Sequence, residues 1–200
     1  MTPFAGAQRV PNRKLDLLIK RGFLSSEECA AVVARIDARR RPSDLADHTI
    51  DDPLFRTSET CDLMPEDLLI AALDARIATY AELDPRHGET MQGQRYAVGQ
   101  EFKLHTDYFE PGGPGYQQYC QIAGQRTWTV MIYLNTPDDG GATRFKAIDK
   151  IVQPETGKLL AWNNLDPWGR VNPATLHQGM KVRRGVKYII TKWYREKPWY

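Results

Sequence analysis

The apolar positions change period part-way along the chain. Early on they recur at helical spacing. Cys29, Val32, Val33 and Ile36 fall three and four apart, behind Ser25-Ser26-Glu27-Glu28. Ser25 and Glu28 have capping-box spacing, so the pattern predicts a helix over 26–39. Leu68, Leu69, Ala72, Leu73, Ile77 and Tyr80 repeat the pattern to about residue 82. Pro65 is expected in the first turn of that helix, with Glu66 and Asp67 complementing its dipole. The apolar run Leu15 to Ile19 predicts a strand, as does Arg56–Thr60. Residues 41–55, with two prolines and several aspartates, read as a loop, and His48 within it reads as a surface histidine. Residues 1–13 carry little pattern and are expected to form a loose arm before a single domain over 14–200.

From Glu89 the period shortens to two. Strands are predicted at 91–98, 101–107, 126–135, 142–145, 158–162, 175–182 and 186–195. Asp138-Asp139-Gly140-Gly141 and Arg183-Arg184-Gly185 are the turns, and His87 sits in another turn after Pro85. Residues 108–125 hold four glycines and two prolines and predict a long loop of the kind that covers binding sites. Two helices followed by many short strands imply an α+β chain, a β-barrel or jelly roll with the helices packed outside.

Composition narrows the function classes. The 200-residue chain has a net charge of +2, which gives no field that argues for nucleic acid. Its basic run Arg39-Arg40-Arg41 reads as a solvated helix end. The three cysteines, Cys29, Cys61 and Cys120, are widely spaced and make no Cys-x-x-Cys. Reduced thiols in a cytoplasm fit them better than a disulfide framework. No apolar run approaches membrane-spanning length, so no membrane association is expected.

The candidate chemistry lies in His105-Thr106-Asp107. On a strand, residues i and i+2 share a face, which sets an imidazole beside a carboxylate. A third ligand from a neighbouring strand would complete a metal site, and His177 is the candidate. Two His and one carboxylate on one side of a metal leave positions open and suit non-heme Fe(II) oxygenases. The same three side chains also suit zinc. The plainer alternative is a hydrogen-bonded surface pair. Lys187, Ile189, Thr191 and Trp193 share a face by period two, and that face is expected to point inward. His177 and Lys187 lie ten positions apart across Gly185, and a hairpin there would put them on adjacent strands. A lysine inside a barrel is costly unless it meets an anion.

These fragments carry a resemblance. Phe23-Leu-Ser-Ser-Glu-Glu-Cys29, Arg56-Thr-Ser58, Glu89-Thr-Met-Gln92, Tyr96, Gly99-Gln100, His105-Thr-Asp107, Arg126 to Leu134, Gly140-Gly-Ala-Thr143 and His177 to Lys187 follow in order, closing with Lys192-Trp193. From Phe23 to Trp193 the chain resembles the prolyl 4-hydroxylase branch of the 2-oxoglutarate/Fe(II) dioxygenases. The resemblance implies a double-stranded β-helix (jelly roll) with flanking N-terminal helices. It implies His105, Asp107 and His177 as iron ligands and Lys187 as the partner of the distal carboxylate of 2-oxoglutarate. Tyr96, Thr129 and Trp193 match positions lining the cosubstrate pocket, and Arg56 matches the substrate groove. The implied reaction consumes O2 and 2-oxoglutarate, gives succinate and CO2, and hydroxylates an unactivated C–H, with L-ascorbate as a candidate reductant. The implied substrate is a peptidyl proline in a peptide or protein, with a free amino acid or other small molecule as the alternative. Two stretches depart from the family, Arg144-Phe145-Lys146 where Phe-Pro is usual and Lys181-Val182 where Pro-Val is common. A zinc-dependent jelly-roll hydrolase or isomerase and a non-catalytic binding module are the readings from other classes.

Overall fold

The computed structural model describes residues 3–44 and 51–199; His48 lies outside the described residues. The elements run β1 (Gln8–Arg9), β2 (Leu17–Lys20), α1 (Ser26–Arg39), β3 (Arg41–Pro42), β4 (Glu59–Leu63), α2 (Leu68–Ala81), β5 (Met91–Tyr96) and β6 (Phe102–His105). They continue with α3 (Pro114–Tyr119), β7 (Arg126–Tyr133), β8 (Asp139–Gly140), β9 (Thr143–Phe145), β10 (Lys150–Val152), β11 (Leu159–Asn163), β12 (His177–Gly179), β13 (Val182–Arg184) and β14 (Lys187–Arg195). A major sheet has the order β1-β2-β11-β7-β14-β5-β4-β3, and a minor sheet the order β10-β9-β12-β6. All pairings are antiparallel. The two sheets face each other as a jelly roll.

Period-two alternation divides the major sheet between two cores. Val130 and Ile132 of β7, Leu159 and Ala161 of β11, and Ile190 and Tyr194 of β14 pack with Val32, Ile36, Leu73 and Ile77 of the helices. Met131, Tyr133, Leu160, Trp162 and Ile189, one position along, pack against Phe145 and Val182 between the sheets. Helix α1 starts as its capping box dictates, with Ser25 Oγ accepting from Glu28 N–H and the Glu28 carboxylate accepting from Ser25 N–H. It lies close on β5 because position 93 has no side chain: a Cβ at Gly93 would stand 2.4 Å from Ile36 Cγ1.

Five expectations are corrected. The arm expected over 1–13 is docked from residue 3 onward: Phe4 is buried, its ring 5.0 Å from that of Trp128, and β1 adds to the edge of β2. Helix α2 begins later than Pro65 implied, because the Asp67 side chain accepts from Leu69 N–H and fixes the N-cap there. Arg56 makes only an isolated bridge to Phe102, and the strand proper starts at Glu59. Residues 108–125 contain the short helix α3, with Pro114 in its first turn. The stretch 175–182 is not one strand but a 3-10 turn, β12 and the start of β13.

A sixth correction bears on the site. The turn at 183–185 does not make His177 and Lys187 neighbours on one hairpin. β12 belongs to the minor sheet, β13 pairs with β8, and β14 belongs to the major sheet. The crossing is anchored at Gly140, whose φ of +80° suits glycine and where a Cβ would stand 2.3 Å from Lys181 O.

Candidate active site

His105 ends β6, and His177 opens the antiparallel strand β12 directly opposite it in register. Asp107 follows two residues beyond β6. One ligand atom from each of the three lies within 4.8 Å of the others, with His105 Nε2 3.7 Å from Asp107 Oδ1 and His177 Nε2 4.0 Å from Asp107 Oδ2. The outer nitrogens are committed elsewhere: His105 Nδ1 donates to Lys103 O (2.7 Å) and His177 Nδ1 to Thr175 O (2.9 Å). A carbonyl oxygen only accepts, so Nδ1 carries the proton and each Nε2 offers its lone pair to the common point.

Electrostatics prepare the same state. Burial, reinforced by His177, pushes the His105 imidazole down to about 3, so it is neutral. Burial works against the Asp107 carboxylate, but the neighbouring imidazoles, Arg126 and the Thr129 hydroxyl outweigh it and keep its pKa low. A neutral His105 imidazole and an ionised Asp107 carboxylate are therefore presented together, as ligands of a divalent metal must be.

The cluster stands at the junction of two spaces. An inner cavity between the sheets is lined by Tyr96, Met131, Trp162, Lys187, Ile189 and Trp193 together with the three ligand candidates. An outer groove of about 710 Å³ runs from the same cluster past Phe55, Tyr108, Phe109, Tyr119 and Arg126. Arg56, Phe102 and Trp193 border both spaces. Residues of the 108–125 segment thus wall the groove.

Lys187 faces the cluster across the cavity from the opposite sheet. It is 1 % exposed, and among the described residues it makes no ion pair or hydrogen bond; its Nζ stands 4.8 Å from the centroid of the Tyr96 ring. Burial pushes the ammonium down to about 7. Ile189, Thr191 and Trp193 line the cavity beside it, so the inward face read from β14 is the observed one.

Thr129 has a different place from the one its resemblance implied. It is fully buried behind Asp107 rather than lining the cavity: its Oγ1 donates to Asp107 Oδ2 (2.7 Å) and accepts from Asn164 Nδ2 (2.9 Å). Arg56 stands at the groove mouth with its guanidinium 4.9 Å from the Phe102 ring and its donors on Ser58, Thr60 and the Asp44 carbonyl. Trp193 carries the Arg126 guanidinium 4.0 Å over its ring.

Sequence reading missed a supporting layer. Glu89 is buried and takes a two-pronged pair of hydrogen bonds from Arg126, both 2.7 Å, and a third from Arg195 at 3.0 Å. Arg126 in turn reaches the Asp107 carbonyl at 3.3 Å. Phe102 stacks 3.5 Å beneath the His105 ring. Charged residues at both ends of adjacent strands were the available signal, but partners so far apart in sequence are not paired by any local pattern.

Comparison with known proteins gives the same picture. The sequence profile of the 2OG-Fe(II) oxygenase superfamily matches residues 91–195, which contain every ligand candidate and Lys187. The chain belongs to this superfamily. Within this oxygenase, the probable prolyl 4-hydroxylase 3 of Arabidopsis thaliana aligns at 29 % identity over 194 residues, covering 86 % of the chain and 66 % of the relative. The chain thus spans slightly less than two thirds of that plant protein. The crystal structure of the viral collagen prolyl hydroxylase of Paramecium Bursaria Chlorella virus-1, a 2-oxoglutarate complex, superposes with a TM-score of 0.69 at 27 % identity, covering 90 % of the oxygenase and 95 % of the viral chain. A Trichoplax adhaerens prolyl hydroxylase in complex with a hypoxia inducible factor peptide shares the fold, with a TM-score of 0.65 at 16 % identity.

Proposed function

We propose that this oxygenase is an Fe(II)- and 2-oxoglutarate-dependent prolyl 4-hydroxylase acting on a peptidyl proline. The observation that carries the cosubstrate assignment is Lys187, a buried cation with no counter-ion among the described residues, aimed across a cavity at a three-donor metal cluster. Burying an unpaired charge is unfavourable unless a ligand supplies the opposite one. A dicarboxylate that reaches from the cluster to Lys187 does so. The zinc hydrolase and binding-module readings give that lysine no task.

In this reading His105, Asp107 and His177 hold Fe(II). The iron, when bound, supplies the oxidative chemistry that couples decarboxylation of 2-oxoglutarate to hydroxylation, with O2 consumed and succinate and CO2 released. The protein's own contribution is orientation and exclusion of water. The carbonyls of Lys103 and Thr175 fix the imidazole rings, and the Asn164–Thr129 chain fixes the Asp107 carboxylate. Lys187 fixes the far end of the cosubstrate, and Met131, Trp162 and Ile189 supply an apolar wall around it.

The substrate assignment is supported by the groove's volume, in the range of sites for ligands larger than one amino acid. The named activities of the plant and viral relatives support it too. L-Ascorbate as reductant and a cytoplasmic location belong to the same proposal. The free, buried cysteines accord with a reducing compartment. Among the described residues no helix is long and apolar enough to cross a membrane.

The test is mass spectrometry for a gain of one oxygen across proline-containing peptides, free proline and other free amino acids, with Fe(II) and 2-oxoglutarate, with and without ascorbate. Hydroxylation of peptides at carbon 4 of proline is the expected result. Hydroxylation confined to free amino acids overturns the peptide assignment.

A further inference from the structure

The segment between β11 and β12 presents a tryptophan to solvent for which the catalytic site has no use. Trp168 is 76 % exposed, at the tip of a turn closed by the bridge Leu165–Val171. The turn is built rather than slack. Asp166 Oδ1 accepts from the backbone N–H of Trp168 (2.9 Å) and of Arg170 (3.0 Å), and its Oδ2 accepts from Arg170 Nε (2.9 Å). The Arg170 guanidinium then stands 5.1 Å from the indole centroid. A large apolar ring is held outward at low conformational freedom, as at recognition surfaces.

The turn is rooted at the groove end of the barrel. Asn164 N–H donates to Thr127 O (2.7 Å), beside Arg126, which lines the groove, and the Asn164 side chain holds Thr129 behind Asp107. The returning stem leads through Asn172, bonded to Asn164 O at 2.9 Å, to groove-lining Leu176 and then His177. Trp168 lies four positions after Asn164, a reach of at most about 13 Å.

We infer that Trp168 is a second docking point for the substrate polypeptide, stacking its indole on a proline ring outside the catalytic groove. The inference rests on the peptidyl-proline reading above. Proline-rich segments adopt the polyproline II helix, which rises about 3.1 Å per residue and docks on exposed aromatic rings. The turn keeps Trp168 within about 13 Å of Asn164, a span of about four residues of such a helix. The same segment runs on into groove-lining Leu176, and that continuity of the chain favours the substrate over an unrelated partner. The consequence is a preference for long proline-rich chains over short peptides.

The test compares a decaproline peptide with N-acetyl-Ala-Pro-Ala-amide, by hydroxylation kinetics and by calorimetric binding to the Mn(II)- and 2-oxoglutarate-loaded protein. Trp168→Ala is expected to raise KM and Kd for decaproline about three- to tenfold, the loss expected of one aromatic contact, with kcat unchanged. The tripeptide cannot reach the turn and is expected to respond equally in parent and variant. Trp168→Phe is expected to fall between them. Leu68→Ala, which removes an exposed apolar residue on α2, is expected to change nothing. If decaproline KM and Kd are the same in parent and Trp168→Ala, or both peptides weaken equally, the docking point falls while the peptide reading stands. If the parent hydroxylates neither peptide and oxidises only free amino acids, the peptide reading fails and the docking point with it.

Discussion

β14 buries two lysines five positions apart, one on each face of the major sheet, and treats them in opposite ways. Lys192 points to the helix side, is 3 % exposed, and meets the Asp74 carboxylate of α2 at 2.8 Å. Lys187 points between the sheets, is 1 % exposed, and meets no carboxylate among the described residues. The first charge is neutralised by the fold, so it serves the fold. The second is left for something the fold does not contain. Burial alone does not distinguish a functional charge from a structural one; the missing partner does.

The largest effect expected separates the two faces by activity. His105→Ala and Asp107→Ala should each abolish Fe(II) retention and 2-oxoglutarate turnover, because two donors cannot hold the metal in this geometry. Their apo proteins should melt closer to the parent than Asp74→Ala does, since the cluster is arranged for a ligand. Metal analysis and thermal unfolding of the three variants make the comparison. Full turnover in His105→Ala would remove that imidazole from the metal.

Next comes stability. Asp74→Ala strands Lys192 in the core, and losing one partner of such a pair costs about 3 kcal/mol. Chemical denaturation should show that loss, with 2-oxoglutarate affinity unchanged. Asp74→Leu with Lys192→Met should recover most of it, because an apolar pair of similar volume carries no desolvation cost. A fall in cosubstrate affinity in Asp74→Ala would mean that the two faces are not independent.

Lys187 should behave in the reverse sense. Its charge-assisted contact with a carboxylate is worth roughly 1.5–3 kcal/mol, so Lys187→Ala should weaken 2-oxoglutarate by about ten- to a hundredfold. Lys187→Met should leave the empty protein as stable as the parent or more so, since it removes an unpaired buried charge. Calorimetry on the Mn(II) protein and denaturation of the empty one supply the two numbers.

The legibility of these features in the sequence follows their range. The capping box at Ser25 and Glu28 and the spacing of Val32 and Ile36 are local, and α1 lies where they put it. His105 and Asp107 are local too. The inward face of β14 was readable because alternation is a property of one strand. Which sheet a strand joins is not such a property. The route of the chain from His177 to Lys187 depends on β13 pairing with β8, some forty residues earlier, and nothing near Gly185 encodes that. Thr129 looked like a cavity residue for the same reason. Its position between Asp107 and Asn164 depends on two partners, 22 and 35 residues away in sequence. Phe4 was invisible as a core residue because one aromatic in a patternless stretch has no period.

The smallest effect is the most specific to the unpaired lysine, and it is a pH dependence. In the empty protein burial holds the Lys187 ammonium at about 7, against 10.5 when exposed. Between those values the unfolded chain binds the proton more fully than the folded one, so this group makes stability rise with pH from 7 to 10.5, and its penalty is complete below 7. Parent minus Lys187→Met isolates that slope from other titrations. 2-Oxoglutarate inverts it. Its distal carboxylate is met by the ammonium and not by the free amine, so binding takes up a proton wherever the empty site is neutral. Affinity should therefore be flat below about 7 and fall by up to about tenfold per unit above it, until the pKa of the lysine in the complex is reached. His105, held near 3, does not titrate in that window. Calorimetric titrations of the Mn(II) protein at pH 6.5, 7.5 and 8.5, each in two buffers of different ionisation heat, read both the affinity and the proton uptake. Lys187→Met should bind weakly with no uptake. A parent affinity that does not change over those two units, with no proton taken up, would mean that Lys187 stays charged in the empty cavity and that a counter-ion already stands beside it.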